Sequence, residues 1–330
     1  NRLVFYGLFI AILSYLIFHK HLPSLLSRFG DATSEHPILI PLGISYFTFK
    51  LIHYLIEVSR GNIRDRSLSK FFCYIFLFPI FTAGPIERFD HFIANIDSTW
   101  RSEITVIGLT RIFHGLAKIA IISLLTYLQE ESFTEYIPNL SDLQDDVHTI
   151  STPQMWGYVI FAYIIAYMDF SAYCDIAIGA SRLFGLTIME NFSWPILATN
   201  ISDFWKRWHR TLANWCQTYV YMPIIGHTRN PYLAAYGTFL TMGLWHGATA
   251  PWVMWGLYHA SGVSIYLTWI RFKSKFRIQK TKNRILRSMG LPITFLFVSG
   301  SYAFSSTGNS GRLSITTFFK LFGINVDLGA

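Results

Sequence analysis

The stretch ISDFWKRWHRTLANWCQTYVYMPIIGHTRNPYLAAYGTFLTMGLWHGATAPWVMWGLYH, residues 201–259, sets histidines among tryptophans in an apolar part of the chain. His209 lies in FWKRWHR, and His246 lies in GLWHG at the end of an apolar run that begins near Tyr232. An ionisable group at membrane depth is costly unless it faces a cavity or a partner. The sequence therefore predicts a functional role for His246, with a structural hydrogen bond to a neighbouring helix as the alternative.

The composition of the whole chain indicates a membrane protein. Of the 330 residues, 52% are hydrophobic and 14% are charged, whereas a soluble domain carries about 25% charged residues. The net charge is +8. The basic residues cluster beside apolar runs and form no continuous stripe, which favours the lipid bilayer as partner and argues against nucleic acid. The three cysteines have no paired spacing, so no disulfide framework is expected.

Apolar runs predict a polytopic α-helical fold. Two shorter runs, 71–86 and 212–225, are interrupted by proline, and we interpret them as re-entrant or horizontal segments. The turn between the fifth and sixth crossings is expected at Ala250 and Pro251. The seven predicted crossings are residues 3–18, 37–58, 104–128, 154–180, 232–249, 252–270 and 291–304.

Loop charges predict the orientation of the chain. Basic residues dominate 60–70 and 271–287, and the acidic loop 130–146 has neither lysine nor arginine. Since cytoplasmic loops carry the excess of lysine and arginine, the basic loops are expected inside and the acidic one outside. The basic loops fall inside and the acidic loop outside only if residues 71–86 do not cross the membrane.

Charged residues also lie inside two predicted crossings. Arg111, His114 and Lys118 recur at helical spacing and define a polar stripe that should face the protein interior. Asp169 and Asp175 lie on the following crossing. We expect both carboxylates to pair with the stripe, with a direct role in substrate binding as the alternative.

His209 and His246, with Asp203, Lys206 and Arg207, offer acid and base groups beside a cationic patch. A neutral imidazole can take a proton from a hydroxyl near neutral pH, which suits acyl transfer. A zinc site is the competing hypothesis, but the histidine spacings contain no close ligand pair, and no metal is predicted. A serine hydrolase would need a G-x-S-x-G elbow, which the sequence lacks.

An ordered set of motifs carries a family resemblance. The motifs are PLGISYFTFK (41–50), FPIFTAGPI (78–86), DFSAYCDIAIG (169–179), RLFGL (182–186), ENFSWPILATNISDFWKRWH (190–209) and GLWHG (243–247). On these motifs the chain resembles, from about residue 37 to residue 270, the membrane-bound O-acyltransferases, in particular their bacterial alginate O-acetylase branch.

The resemblance implies a bundle of transmembrane helices around a central cavity and the transfer of an acyl group from a thioester to a hydroxyl. It implies that His246 is the essential residue and that His209 occupies a second polar position, a histidine or asparagine in the wider family. It implies a multi-pass protein of the bacterial cytoplasmic (inner) membrane that passes the group to partner proteins or polymers outside. The expected co-substrate is an acyl thioester, acetyl-CoA or an acyl carrier, with no bound cofactor, and the expected acceptor is a polysaccharide.

The candidate site combines catalytic and cavity residues. His246 is the predicted general base toward the accepting hydroxyl, and His209 is predicted to orient donor or acceptor. Lys206 and Arg207 either attract an anionic donor or only mark the inner side of the membrane. The other predicted substrate or cavity residues are Asp203, Trp205, Trp208, Trp245 and Gly247.

We expect a single membrane-embedded domain over residues 1–330, cut at its N-terminus, where family members have further spans. Two alternatives to O-acetyl transfer stay open. The first is D-alanyl transfer to teichoic acid from a carrier-protein thioester. The second is a transporter or scaffold subunit without catalysis, which the broken segments would also fit.

Overall fold

A computed structural model describes residues 2–23, 41–96, 102–277 and 288–326. Within these ranges the chain is helical, and the only β pairing is an isolated antiparallel bridge between Ile96 and Leu186. This confirms the predicted all-α fold. Two parts of the predicted segments lie outside the described residues. They are residues 37–40 of the crossing 37–58 and residues 278–287 of the basic block 271–287.

The helices are labelled in chain order. Short π-helical turns extend the first, fifth and ninth helices over Ile17–His21, Gln129–Phe133 and Gln217–Tyr221. The α-helices are α1 (Arg2–Leu16), α2 (Ile44–Ser59), α3 (Leu68–Ile75), α4 (Phe89–Ala94), α5 (Ser102–Leu128), α6 (Leu140–Asp146), α7 (Thr152–Leu183), α8 (Ile201–Trp205), α9 (Arg210–Cys216), α10 (Met222–Thr228), α11 (Pro231–His246), α12 (Ala250–Lys275), α13 (Gly290–Gly300), α14 (Tyr302–Ser305) and α15 (Gly311–Lys320).

Three of the described helical stretches are long and apolar enough to cross a membrane: Arg2–His21, Ser102–Phe133 and Thr152–Leu183. The last two contain 32 residues each, a length of about 48 Å at the α-helical rise, against about 30 Å for the hydrocarbon core. They confirm helices at the predicted crossings 3–18, 104–128 and 154–180. The other four crossings stay predictions.

The two interrupted runs behave differently. In 71–86 the helix α3 ends at Ile75, and only a 3₁₀ turn, Phe78–Ile80, follows. Eight residues of helix reach about 12 Å, too short to cross alone. In 212–225 the proline does not end the helix, which runs from 210 to 228, and the interpretation as a re-entrant or horizontal helix stays a prediction. The π turn there widens the helix directly before Pro223, which relieves the clash of its ring with the preceding turn.

The chain forms two compact units. The first unit comprises Asn1–Lys118 and Phe170–Asn191. In it α5 and α7 approach closely at glycines: a Cβ on Gly115 would lie 2.7 Å from the carbonyl oxygen of Ala172, and one on Gly179 would lie 2.5 Å from that of Gly108. Small residues of this kind let helix backbones come together.

The predicted polar stripe is half correct. Asp175 forms salt bridges of 2.6 Å with both Arg111 and Lys118. Asp169 is exposed and makes no salt bridge in the part of the chain that the structure describes, and His114 is exposed as well. Asp169 and Asp175 are six residues apart, which at about 100° per residue puts them on different faces of α7. The expected pairing is therefore wrong for Asp169.

The second unit comprises Ile119–Asp169 and Phe192–Ala330. Its helices α11 and α12 pack side by side, and the contact again depends on glycine. A Cβ on Gly243 would lie 2.3 Å from the carbonyl oxygen of Trp252, and one on Gly256 would lie 2.7 Å from that of Phe239. The chain reverses at 247–249, directly before the turn predicted at Ala250 and Pro251. Pro251 instead occupies the first turn of α12, where a missing N–H costs nothing.

Candidate active site

His246 is the last residue of α11 and is half-buried. Its imidazole stacks on the indole of Trp252, with centroids 4.4 Å apart and ring planes at 12°. The rings of Trp245 and Trp255 contact it at 4.5 Å and 5.6 Å. Gly247 is required beside it, because a Cβ there would lie 2.7 Å from the Trp252 ring. Three indoles therefore fix the imidazole and leave part of it accessible.

His209 lies directly before α9 and is 4% exposed. Its backbone is left-handed, with φ 42° and ψ 51°, a region that few residues other than glycine adopt. Its ring meets the Trp245 ring at 6.3 Å, nearly edge to face. Burial, with a smaller contribution from His246, lowers the pKa of His209 to about 3. The structure thus brings both histidines to Trp245 and keeps His209 neutral at ordinary pH.

Asp203 and Arg207 hold the chain before His209 in place. The Asp203 carboxylate accepts from Arg207 Nε at 2.9 Å and from the Thr199 backbone N–H at 3.2 Å. Arg207 also donates to the carbonyl oxygen of Ser193 at 3.2 Å. The charge of Arg207 is therefore balanced within its own segment, which favours a bracing role over attraction of a donor.

Trp205 and Lys206 line a cavity of about 260 Å³, whereas Trp208 packs into an aromatic cluster with Phe204 and Phe192. Both polar and apolar side chains line the cavity. One of them is Met242, which lies one helical turn before His246. Trp208 is half-buried and does not line this cavity, so its predicted place in the substrate cavity stays a prediction. Other residues along the cavity are Ser202, Asn214, Gln217, Tyr221, Phe239 and Val263.

Sequence reasoning missed three residues of the site on α12. Trp252 and Trp255 contact His246, and Trp255 also contacts His259 at 4.6 Å. The signal was present, because positions 252, 255 and 259 follow the helical spacing that puts side chains on one face. His259 is 2% exposed. Among the residues that the structure describes, no group of three His, Cys, Asp or Glu side chains could hold a metal ion.

Comparison with known proteins places these residues in a family. The sequence model of the MBOAT, membrane-bound O-acyltransferase family, matches residues 8–307. The chain belongs to this family of membrane proteins, as its motifs indicated. The match includes the histidine pair and the helices that hold it.

Individual relatives differ in what their names say they modify. The chain is 31% identical to the probable alginate O-acetylase AlgI of Pseudomonas aeruginosa, over 79% of this chain and 48% of that protein. It is 30% identical to the teichoic acid D-alanyltransferase of Bacillus subtilis, over 92% and 78%. It is also 30% identical to the peptidoglycan O-acetyltransferase of Helicobacter pylori, over 91% and 61%. The chain spans about half the length of the alginate O-acetylases it matches.

Proposed function

We propose that this protein transfers an acyl group, acetyl in the first instance, from a thioester donor to a hydroxyl of a cell-envelope or extracellular polysaccharide. The observation that carries the proposal is His246, a half-buried imidazole held by three indoles and placed with the buried His209 around Trp245. Membership of an acyltransferase family supports it.

His246 acts as general base. Its imidazole takes the proton of the accepting hydroxyl while the hydroxyl oxygen attacks the thioester carbonyl carbon. As the tetrahedral intermediate collapses, the carbon–sulfur bond breaks and the thiolate takes the proton back from His246. An ester and a free thiol result, so protons and electrons balance without an oxidant or a bound cofactor. His209, which stays neutral, orients the donor or the acceptor.

The donor enters along the cavity beside Trp205 and Lys206. Coenzyme A and acyl carriers present the thioester at the end of an elongated, anionic arm, which suits a narrow cavity with a lysine at its wall. Lys206 is exposed and makes no salt bridge in the described part of the chain, so its charge stays available. Acetyl-CoA or an acetylated carrier is the proposed co-substrate.

The proposed place of action is the bacterial cytoplasmic membrane, with the polymer on its outer side. Three apolar helices and the family support a membrane position. The names of the alginate and peptidoglycan O-acetyltransferases support a polysaccharide acceptor. Periplasmic or extracellular transfer proteins are the proposed partners, because the polymer lies beyond the membrane.

D-alanyl transfer to teichoic acid is the second candidate. The teichoic acid D-alanyltransferase of Bacillus subtilis favours it, because the match covers 92% of this chain and 78% of that protein. Both candidates use the same base and the same thioester chemistry. Isotope-labelled acetyl and D-alanyl thioesters offered side by side, with mass analysis of the envelope polymer, decide between them.

Replacement of His246 by glutamine tests the proposal. Gln keeps hydrogen bonding and similar bulk but cannot take up the proton, so turnover should fall roughly 10²- to 10⁴-fold while donor binding persists. The assay is transfer from labelled acetyl thioester by purified protein, with thermal unfolding measured alongside. His148→Gln, the same change at an exposed histidine, is the matched control and should retain full turnover. Wild-type turnover in His246→Gln would leave the transporter or scaffold hypothesis ahead.

A further inference from the structure

The C-terminal end of helix α12 carries positive charges without a carboxylate beside them. Arg271, Lys273 and Lys275 lie in its last two turns. None of the three forms a salt bridge in the part of the chain that the structure describes. The sequence contains neither aspartate nor glutamate from residue 204 to residue 326, so no acid on α11, α12 or α13 balances them. The three cations are therefore available to an anion from outside the chain.

Two open grooves flank α12 just before these cations. The first lies between α11 and α12 and has a volume of about 670 Å³. The second lies between α12 and α13 and has a volume of about 340 Å³. Ile265 and Trp269 line both grooves and form a ridge between them, since side chains four residues apart share one face of a helix. Further aromatic and aliphatic side chains of the walls are Tyr232, Tyr236 and Phe272 in the first groove and Tyr266, Ile293 and Phe297 in the second.

Two of the cations lie at the grooves themselves. The guanidinium carbon of Arg271 lies 4.9 Å from the centroid of the Tyr232 ring, in the wall of the first groove. Lys273 Nζ lies 5.4 Å from the centroid of the Trp269 ring, in the ridge. These contacts hold both charges at the edge of an exposed apolar surface, in which Ile265 is 70% exposed. A ligand that joins an anionic head to apolar chains complements this arrangement.

The position of the grooves along the chain favours a membrane lipid as that ligand. Tryptophan and tyrosine beside lysine and arginine are typical of the interface between membrane and water. The cations directly follow the predicted crossing 252–270, and basic residues close to the membrane surface attract anionic lipids. A phospholipid has two acyl chains, and the ridge has one groove on either side.

We propose that this end of α12 binds an anionic phospholipid, with the phosphate on Arg271 and Lys273 and one acyl chain in each groove. A zwitterionic phospholipid binds less well, because its own cationic group offsets the attraction. The lipid contacts both α11 and α12, the helices that carry His246 and Trp252, at the end of the pair away from His246. This inference does not depend on the proposed acyl transfer.

The test compares two phospholipids that share their acyl chains and differ in charge. The purified protein in detergent is titrated with dioleoyl phosphatidylglycerol or dioleoyl phosphatidylcholine, and native mass spectrometry measures the bound lipid. Wild type should bind phosphatidylglycerol about tenfold more tightly. The double variant Arg271→Gln/Lys273→Gln should lose roughly 10- to 30-fold in affinity for phosphatidylglycerol, the contribution of two basic residues near a membrane surface. Its affinity for phosphatidylcholine should change less than twofold.

Matched variants separate this site from general charge and general apolar contact. Arg64→Gln/Arg66→Gln removes the same charge at two exposed arginines of another basic loop and should keep the preference of the wild type. Ile265→Ser in the ridge should weaken both lipids roughly 3- to 10-fold, because each chain loses apolar contact. Ile10→Ser on α1, where Ile10 is 61% exposed, should weaken neither. Thermal unfolding without lipid should be alike in all four variants, which separates binding from folding.

A further arm distinguishes a lipid from a free phosphate. Glycerol 3-phosphate, which has the phosphate but no acyl chains, should not displace bound phosphatidylglycerol. Displacement at equal concentration would overturn the role of the grooves. Equal binding of the two lipids by the wild type would overturn the inference without the use of any variant. An unchanged preference in Arg271→Gln/Lys273→Gln, or the same loss in Arg64→Gln/Arg66→Gln, would also refute it.

Discussion

The buried ionisable side chains of the first unit and those at the candidate site of the second unit have different surroundings. In the first unit, Lys50 donates to the Tyr74 carbonyl at 3.2 Å, and Glu87, which is fully buried, accepts from the Met189 N–H at 2.7 Å and from His91. His53 accepts from the Phe89 N–H at 3.1 Å. Each of these buried groups has a partner within its own unit, and such satisfied networks specify and rigidify a fold.

The site in the second unit is surrounded by aromatic rings instead of charges. His246 is half-buried against three indoles, and Nδ1 of His259 lacks a hydrogen-bond partner among the described residues. The difference teaches that burial of a charged residue alone does not mark a functional site in this chain. Buried ionisable groups whose hydrogen bonds are satisfied stabilise a fold, whereas the aromatic surroundings of His246 are the feature on which the proposed active site rests.

Gly243→Ala should have the largest effect on the second unit. The new Cβ would lie 2.3 Å from the Trp252 carbonyl oxygen, and backbone can only yield by moving α12 and the indole on which His246 stacks. We expect a loss of about 1–3 kcal/mol in the free energy of unfolding and a loss of turnover. Gly226→Ala in α10 meets no atom within 4 Å and should leave both unchanged or raise stability slightly. Thermal unfolding in detergent and the transfer assay measure the two effects, and equal behaviour of the two variants would contradict the close packing of α11 on α12.

Asp175→Asn should destabilise the first unit. It removes the negative charge that pairs with Arg111 and Lys118. Since both cations are about one-third exposed, the cost is expected near 2 kcal/mol, below the roughly 3–5 kcal/mol of breaking a fully buried pair. The yield of folded protein and its thermal unfolding temperature should both fall. Asp169→Asn, at an exposed position on the same helix, should change stability by less than about 0.5 kcal/mol. A variant of Asp175 that stays stable but loses activity would support the alternative role in substrate binding.

His209→Gln should reduce transfer about tenfold, a cost of about 1.4 kcal/mol in the transition state, and so less than His246→Gln. The reason is that His209 is closed off from solvent and orients its neighbours, whereas His246 takes the proton. The transfer assay with donor binding measured in parallel separates placement of the donor from chemistry. If His209→Gln proves as inactive as His246→Gln, the two histidines share the proton transfer.

The smallest expected effect is a change in the pH dependence of stability in Glu87→Gln. The hydrogen bond from His91 to Glu87 raises the pKa of His91 above its ordinary value of 6.5. A raised folded-state pKa stabilises the protein below about pH 6.5, and this contribution is lost as pH rises through the folded-state pKa. Thermal unfolding of the wild type should therefore occur at lower temperature near pH 9 than near pH 6. Because His91 is about one-third exposed, the contribution is at most about 1 kcal/mol.

In Glu87→Gln this pH-dependent difference should shrink, because Gln bonds both forms of the imidazole. Glu135→Gln, at an exposed position, provides the comparison and should keep the wild-type pH dependence. An unchanged pH dependence in Glu87→Gln would mean that His91 does not contribute to it.

The sequence predicted what depends on local pattern. The long helices followed from apolar length, and the prediction that His246 is functional, which the structure does not test, came from an imidazole between glycines beside an indole. The π turn before Pro223 could not be predicted, since no composition marks it. The predicted pairing of Asp169 was wrong. Asp169 and Asp175 lie on one helix, but each residue turns the helix by about 100°, so the two carboxylates face different sides of α7.

The partners of each site residue also required three dimensions. Arg207 looked like part of a cationic patch, but Asp203 four residues earlier balances it. Trp205 and Trp208 are three residues apart in one motif and both pack against the same core cluster, yet only Trp205 also lines the cavity of about 260 Å³. Nothing in FWKRWHR distinguishes them, because the helix α8 ends at Trp205 and the chain then changes direction.

The left-handed backbone at His209 restricts which sequences can occupy this position at all. Among residues with a side chain, asparagine, aspartate and histidine adopt this conformation most readily, and branched or bulky residues adopt it least. The backbone conformation of the turn therefore limits which residues fit at position 209, independently of any catalytic requirement. The histidine-or-asparagine alternation that the family resemblance implies lies within the residues that this conformation favours. A polar side chain at this point in the protein is in part a by-product of how the chain bends into α9.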